Sequence, residues 1–167
     1  TWISTANVVE HLGGTVVFAD IDLSNFNIES SGIEALITPR TRAILPVHLF
    51  GNAADMYAIN AIAQRHGLWV VEDAACGFGA KIGQKHVGNF GNTGCFSFHP
   101  RKAITTGEGG MITINNKKIT EKDGNRPHLN QPYKDRIRES CFYNKSGENG
   151  NKTYMSFEHD ILTYVEG

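Results

Sequence analysis

Short apolar runs alternate with helical patterns through the first two thirds of the 167-residue chain. The apolar runs have strand length and composition, and lie at 15–19, 42–49, 68–71, 95–98 and 111–114. Helices are predicted before the first run, at 5–12, and between later runs, at 31–38 and 55–66. Such alternation is typical of βαβ units, so the pattern predicts an α/β fold with three α/β/α layers and a mostly parallel sheet. A short glycine-rich turn precedes the run at 111–114, which favours an antiparallel last strand.

Two of these helices carry start and stop signals. Ser31 and Glu34 have the spacing of a capping box. Asp55 is expected to cap the clearest helix, and Gly67 to end it in a left-handed conformation. The apolar face of that helix comprises Met56, Ile59, Ile62 and Ala63.

Composition narrows the range of functions. A net charge of −1 argues against a nucleic-acid or membrane surface as the main partner. No apolar run approaches the roughly 20 residues of a membrane span. The three cysteines lack CxxC spacing and the histidines lack HExxH spacing, so neither a metal site nor a disulfide framework is expected. Unpaired cysteines favour a reducing compartment, and we expect the protein to be cytoplasmic.

The chain changes character at about residue 117, beyond which charged residues and asparagines are concentrated. We therefore divide it into 1–116 and 117–167. Residues 144–152 are expected to form an exposed loop or flexible insert.

Two side chains suggest a particular chemistry. Asp73 ends the apolar run at 68–71, and Lys102 follows the run at 95–98, just before a glycine-rich turn. Ligands of open α/β sheets bind outside the carboxyl ends of the strands, where both residues are expected. Alone, Asp73 is more often a turn former and Lys102 a solvated loop residue. Together they are the lysine and carboxylate that an enzyme dependent on pyridoxal 5′-phosphate (PLP) requires.

Several motifs around these residues resemble those of the DegT-type nucleotide-sugar aminotransferases, which are fold-type I PLP enzymes. The resemblance runs in order from residue 1 to about residue 116. It rests on TWISTAN at 1–7, ITPRTRAI at 37–44, PVHLFG at 46–51, EDAA at 72–75, FSFHPRK at 96–102 and GEGG at 107–110. It implies that 1–116 is a partial PLP-binding large domain. Residues 117–167 would then be a polar insert and the lead-in to a C-terminal domain.

The resemblance also implies roles for individual residues. Lys102 matches the catalytic lysine that forms a Schiff base with PLP, and Asp73 the carboxylate on the pyridine nitrogen. Ser97 matches a hydroxyl that binds the phosphate, and Trp2 an aromatic side chain over the cofactor ring. Cys76 stands where the family usually has Gln or His, which bonds the ring hydroxyl. A thiol is a weak donor, so that contact is expected to be weak.

Two further polar residues are given structural interpretations. We interpret His48 as a histidine satisfied within the fold. Glu108 and the glycines around it are expected to shape the turn after Lys102.

The implied activity is transfer of an amino group from an amino acid, with glutamate expected, to a nucleotide-linked keto sugar. Such a reaction belongs to amino-sugar or cell-surface polysaccharide biosynthesis, and the resemblance implies a homodimer with a shared active site. Two alternatives stay open. One is a PLP-dependent sugar dehydratase of the same fold, in which histidine replaces the lysine. The other is a PLP-binding regulatory protein without turnover. The segment 1–167 alone is expected to be inactive.

Overall fold

The computed structural model describes residues 2–116, 141–144 and 152–156. Within them, the helices are α1 (Ser4–His11), α2 (Ser30–Ile33) and α3 (Met56–His66), with 3₁₀ turns at Glu34–Leu36 and Leu49–Gly51. The first strands are β1 (Ala43–Ile44), β2 (Trp69–Asp73), β3 (Lys81–Ile82) and β4 (Lys85–His86). They are followed by β5 (Thr93–Ser97), β6 (Gly110–Ile114), β7 (Cys141–Asn144) and β8 (Lys152–Ser156).

Six of these strands form one sheet in the order β1-β2-β5-β6-β8-β7. Strands β1, β2 and β5 are parallel, whereas β6, β8 and β7 continue the sheet in antiparallel fashion. The predicted α/β class and the antiparallel β6 are confirmed. Strands β3 and β4 form a separate antiparallel pair.

Helices lie on both faces of the parallel strands, as expected for three layers. Val70 belongs to the core cluster that includes the buried face of α3. Thr5 of α1 instead bonds Asp73. Because successive side chains of a strand point to opposite faces, Val70 and Glu72 lie on the α3 side, and Val71 and Asp73 on the α1 side. Within the described part of the chain, no helix is long and apolar enough to cross a membrane.

Helix α3 follows its sequence signals closely. The Asp55 side chain accepts a hydrogen bond from the Ala58 amide at 3.0 Å, which satisfies one free donor of the first turn. Gly67 ends the helix with φ +65°. The predicted apolar face is buried, and its two innermost side chains, Met56 and Ile59, have no exposed surface. Burial of each contributes about 1.5–3 kcal/mol.

Three predictions of local structure are wrong. Residues 15–19 are extended but form no strand, and Val17 and Phe18 are 65% and 78% exposed. A strand requires a partner, and within the described residues none pairs with this segment. The predicted strand at 42–49 is paired only at Ala43–Ile44 and through an isolated bridge at Val47, because proline at position 46 supplies no amide donor.

The capping box at Ser31 is also absent. Glu29 precedes α2, and the Ser31 hydroxyl donates to the Glu29 carboxylate at 2.8 Å instead of capping the helix. The helix predicted at 31–38 is therefore one α turn followed by one 3₁₀ turn, which ends at Leu36.

Sequence analysis did not predict the strands β7 and β8, which extend the sheet beyond β6. Most of the predicted loop at 144–152, namely 145–151, lies outside the described residues, as do 117–140 and 157–167. The division of the chain at residue 116 stays a prediction.

Candidate active site

A small pocket opens at the carboxyl ends of β2 and β5, beneath α1. This is the edge of an α/β sheet where ligands usually bind. The pocket has apolar walls from α1, β2 and the segment after β1, and a few convergent polar groups, which is typical of cofactor sites. Its lining comprises Ser4, Thr5, Val8, Leu45, Val71, Glu72, Asp73, Ala75, Cys95, Phe96 and Ser97.

Asp73 is anchored in the pocket through both its main chain and its side chain. Its main chain bonds Pro46 and His48, each at 2.9 Å. Its carboxylate accepts the Ala75 amide on Oδ1 at 3.0 Å and the Thr5 hydroxyl on Oδ2 at 2.5 Å. Each carboxylate oxygen can accept two hydrogen bonds, so acceptor capacity remains on both.

Cys95 is the partner of Asp73 in the register of β2 and β5 and also lines the pocket. Burial, helped by the negative charges of Asp73 and Glu72, raises the pKa of the Cys95 thiol to about 12. The thiol is therefore neutral at physiological pH, and Cys95 lines the pocket beside the Asp73 carboxylate as a small uncharged side chain.

Lys102 lies beyond β5, outside the pocket lining. Its amine donates to Cys76 Sγ at 3.4 Å, which joins two of the residues predicted for the site. Sulfur is a weak acceptor, so this contact holds the amine only loosely. Cys76 is exposed. Because Cys76 follows Asp73 by three residues, its contact with Lys102 brings the amine close to the end of β2.

The loop that carries Lys102 is closed by hydrogen bonds between its two ends. The Phe98 amide donates to the Gly109 carbonyl at 2.7 Å, and the Thr106 amide donates to the Phe98 carbonyl at 3.2 Å. The Lys102 amide donates to the His99 carbonyl at 2.9 Å in a tight turn. The Thr106 hydroxyl donates to the Glu108 carbonyl at 2.8 Å, in keeping with the expected turn-shaping role of that segment.

The other two predicted residues are placed differently. Ser97 ends β5 and lines the pocket with Asp73, and its hydroxyl accepts the His99 amide at 3.4 Å. Trp2 precedes α1, is 73% exposed and does not line the pocket. The structure therefore brings Asp73 and Ser97 together in one pocket and pairs Lys102 with Cys76.

A buried polar network supports the opposite face of β2. His48 and Glu72 have no exposed side-chain surface, and His48 Nε2 lies 3.0 Å from Glu72 Oε2. His48 Nδ1 accepts the Ala54 amide at 3.1 Å, which places the ring proton on Nε2, where it is donated to Glu72. The interpretation of His48 as a structural histidine is confirmed.

Glu72 also fixes the segment that leads into β5. Its carboxylate accepts the amides of Gly88 at 2.6 Å, Phe90 at 2.7 Å and Gly91 at 2.6 Å. With His48 there are four partners, two on each carboxylate oxygen, which fills the acceptor capacity of both oxygens. Because Glu72 is adjacent to Asp73, this network holds the end of β2 from behind the pocket.

Sequence analysis missed the contribution of Thr5 and Cys95. Thr5 bonds a residue 68 positions away, so no local pattern identifies it. Cys95 could have been placed on the pocket side from its position two residues before Ser97, since residues i and i+2 of a strand share a face.

Comparison with known proteins points to one family. The model of the DegT/DnrJ/EryC1/StrS aminotransferase family matches residues 1–156. The chain is 49% identical over 123 residues to UDP-N-acetyl-3-dehydro-alpha-D-glucosamine 3-aminotransferase of Acidithiobacillus ferrooxidans, an alignment that covers 73% of this chain and 33% of the relative.

Two solved structures are also similar. An aminotransferase from Psychrobacter cryohalolentis aligns with a TM-score of 0.69 and 41% identity, over 71% of this chain and 30% of that chain. GDP-4-keto-6-deoxy-D-mannose-3-dehydratase of E. coli, solved with bound hydrated PLP, aligns with a TM-score of 0.66 and 34% identity, over 70% and 30%.

The chain therefore spans about a third of the length of the curated relative and of the two solved chains. The family match nevertheless covers nearly all of the chain and includes every residue of the candidate site. On this evidence the chain belongs to the DegT/DnrJ/EryC1/StrS aminotransferase family.

Proposed function

We propose that the protein is a PLP-dependent aminotransferase that moves an amino group from an amino acid to a nucleotide-linked keto sugar. We further propose that the amino donor is glutamate. The observation that carries the proposal is the placement of Lys102. Its amine lies beside the end of β2 and contacts the weak sulfur acceptor of Cys76, while Asp73 and Ser97 share the adjacent pocket.

The residues present fit PLP. The Asp73 carboxylate is oriented by two donors and keeps acceptor capacity for a protonated ring nitrogen. Ser97 offers a hydroxyl for the phosphate from the end of the neighbouring strand. Lys102 offers a primary amine for the aldehyde. Cys76, which contacts that amine, can offer the ring hydroxyl only a weak bond.

PLP supplies an electron sink that accepts the electron pair released when a substrate C–H bond breaks. Asp73 would accept a hydrogen bond from the protonated ring nitrogen. Lys102 would hold the cofactor through its primary amine, and its Nζ would accept the proton that leaves the substrate carbon. The apolar side chains of Val8, Leu45 and Val71 line the pocket around Asp73, which favours exclusion of water once a ligand is bound.

The presence of Lys102 favours transamination over dehydration. The dehydratase relatives considered above have histidine in place of this lysine. A lysine can both bind the cofactor and act as the base, as amino transfer requires. A regulatory protein would need PLP binding but no proton transfer by Lys102.

We also propose that two copies of the protein assemble and share the site. Phe26 and Phe50 support this, because they pack edge to face at 6.2 Å while remaining 48% and 79% exposed. Both have left-handed backbones, with φ +61° and +55°. Bulky residues rarely adopt this conformation outside functional surfaces, and exposed apolar side chains favour contact with a partner. Light scattering of the purified protein tests the assembly.

Substitution of Lys102→Ala in the full-length protein tests the cofactor assignment. We expect the variant to lose the visible absorbance of bound PLP and all turnover, because no other amine in the described site replaces Nζ. Lys81→Ala, at an exposed position on β3, is the matched control and should behave as the wild type. A Lys102→Ala variant with an unchanged visible spectrum and retained activity would refute the assignment.

Isotope transfer separates the three functions. The PLP-loaded protein is incubated with ¹⁵N-glutamate and one of two probe sugars in separate reactions. The first probe is UDP-N-acetyl-3-dehydro-glucosamine, and the second is GDP-4-keto-6-deoxy-mannose. An aminotransferase converts PLP to its pyridoxamine form and places ¹⁵N in the sugar. A dehydratase yields a deoxygenated sugar without ¹⁵N, and a regulatory protein leaves cofactor and sugar unchanged.

A further inference from the structure

The hydrogen bond between Thr5 and Asp73 joins two distant parts of the chain inside the pocket. Thr5 lies in the first turn of α1, and its Oγ1 donates to Asp73 Oδ2 at 2.5 Å across 68 residues of sequence. The Ala75 amide donates to Oδ1 at 3.0 Å. One donor on each oxygen restricts rotation of the carboxylate plane, which would otherwise turn freely about its terminal torsion.

The location of Thr5 suits a role in the site. Thr5 lines the same pocket as Asp73, and the positive end of the α1 dipole faces the carboxylate. Helix α1 has no buried residue, so few contacts of its own attach it to the sheet. The hydrogen bond of Thr5 therefore fixes both the Asp73 carboxylate and the first turn of α1.

We infer that Thr5 is a positioning residue for Asp73, and that it aims the carboxylate at the ring nitrogen of the cofactor. This inference rests on the proposed function, because it assigns Asp73 to that nitrogen. Thr5 acts through Asp73 and need not touch the cofactor. The hydroxyl is the essential group, whereas the methyl group contributes only to packing.

Two substitutions separate the hydroxyl from the shape of the side chain. Thr5→Val removes the donor and nearly preserves the volume, whereas Thr5→Ser retains the donor and removes the methyl group. Asn7→Ala, at an exposed position of the same helix, is the control for general loosening of α1. The measurements are the PLP dissociation constant, by absorbance titration of PLP-free protein, and the ¹⁵N chemical shift of PLP labelled at the ring nitrogen.

We expect Thr5→Val to weaken PLP binding at least about tenfold, in the range for loss of a hydrogen bond to a charged group. The ¹⁵N shift of the bound fraction should move towards that of an unprotonated ring nitrogen, since a misdirected carboxylate holds the ring proton less firmly. Thr5→Ser should restore both values, and Asn7→Ala should change neither.

Three results would overturn the inference. Thr5→Val could match the wild type in affinity and ¹⁵N shift, or Thr5→Ser could fail to restore them. Alternatively, Thr5→Val could weaken binding with an unchanged ¹⁵N shift and a lowered unfolding midpoint, which would assign Thr5 a purely structural role. In all three the wild type still binds PLP, so the proposed function survives. A wild-type protein that binds no PLP would overturn both.

Discussion

Replacing Glu72 with glutamine keeps the size of the side chain but halves the number of acceptor oxygens in the buried network. In the wild type, one carboxylate oxygen accepts His48 and Gly88, and the other accepts Phe90 and Gly91. The amide group of glutamine would point its own donors at one of these pairs. Two hydrogen bonds to a charged acceptor are then lost, each contributing about 1.5–3 kcal/mol.

The expected loss is therefore about 3–6 kcal/mol, which is a large part of the 5–15 kcal/mol that stabilises a typical domain. Urea unfolding measures it, with the fluorescence of Trp69, at the start of β2, as the probe. For an m-value of about 2 kcal/mol/M, the unfolding midpoint should fall by about 2 M.

Glu34→Gln is the matched control for this substitution. Glu34 also accepts hydrogen bonds from a histidine and a cation, His66 and Arg65, but its side chain is 47% exposed. Water can replace both partners there, so the midpoint should change little. If Glu72→Gln and Glu34→Gln lower the midpoint equally, the buried network does not stabilise the end of β2 as argued.

Two further predictions concern close packing and thiol reactivity. Gly94→Ala would place its Cβ 2.3 Å from Gly88 Cα, so we expect a loss of about 1–3 kcal/mol or more in urea unfolding. Gly32→Ala, which meets no atom within 4 Å, should not destabilise the protein, and an equal loss in both variants would contradict the packing argument. Because the pKa of Cys95 is raised to about 12, this thiol stays protonated and unreactive at pH 8.5, whereas exposed Cys76 should react with iodoacetamide. Peptide mass spectrometry checks this, and equal labelling of the two thiols at pH 8.5 would refute it.

Elements with complete local signals could be predicted from sequence. Helix α3 has a capping aspartate, an apolar face and a terminal glycine, all within a dozen residues, and each functions as expected. Strands β2, β5 and β6 overlap the apolar runs that predicted them. The segment 15–19 is similarly apolar but forms no strand, because pairing depends on a neighbour that its own sequence does not specify.

The candidate site shows the same division. Asp73 and Lys102 could be identified because they follow strand-like runs, and the resemblance to a family gave each a role that stays a prediction until tested. Thr5 could not be identified, since its partner is distant in sequence. The network of His48 and Glu72 was missed for the same reason, although His48 was correctly interpreted as structural.

The alternation of side chains along β2 and β5 has a consequence for directed evolution. Val71, Asp73, Cys95 and Ser97 face the pocket, whereas Val70 and Gly94 pack against buried neighbours. Along both strands, residues that line the pocket therefore alternate with residues whose packing stabilises the fold. A mutant library that alters the fit of the proposed cofactor should vary Val71 and Cys95 and keep the intervening positions fixed. Such a library would explore pocket shapes while most of its members still accumulate as folded protein.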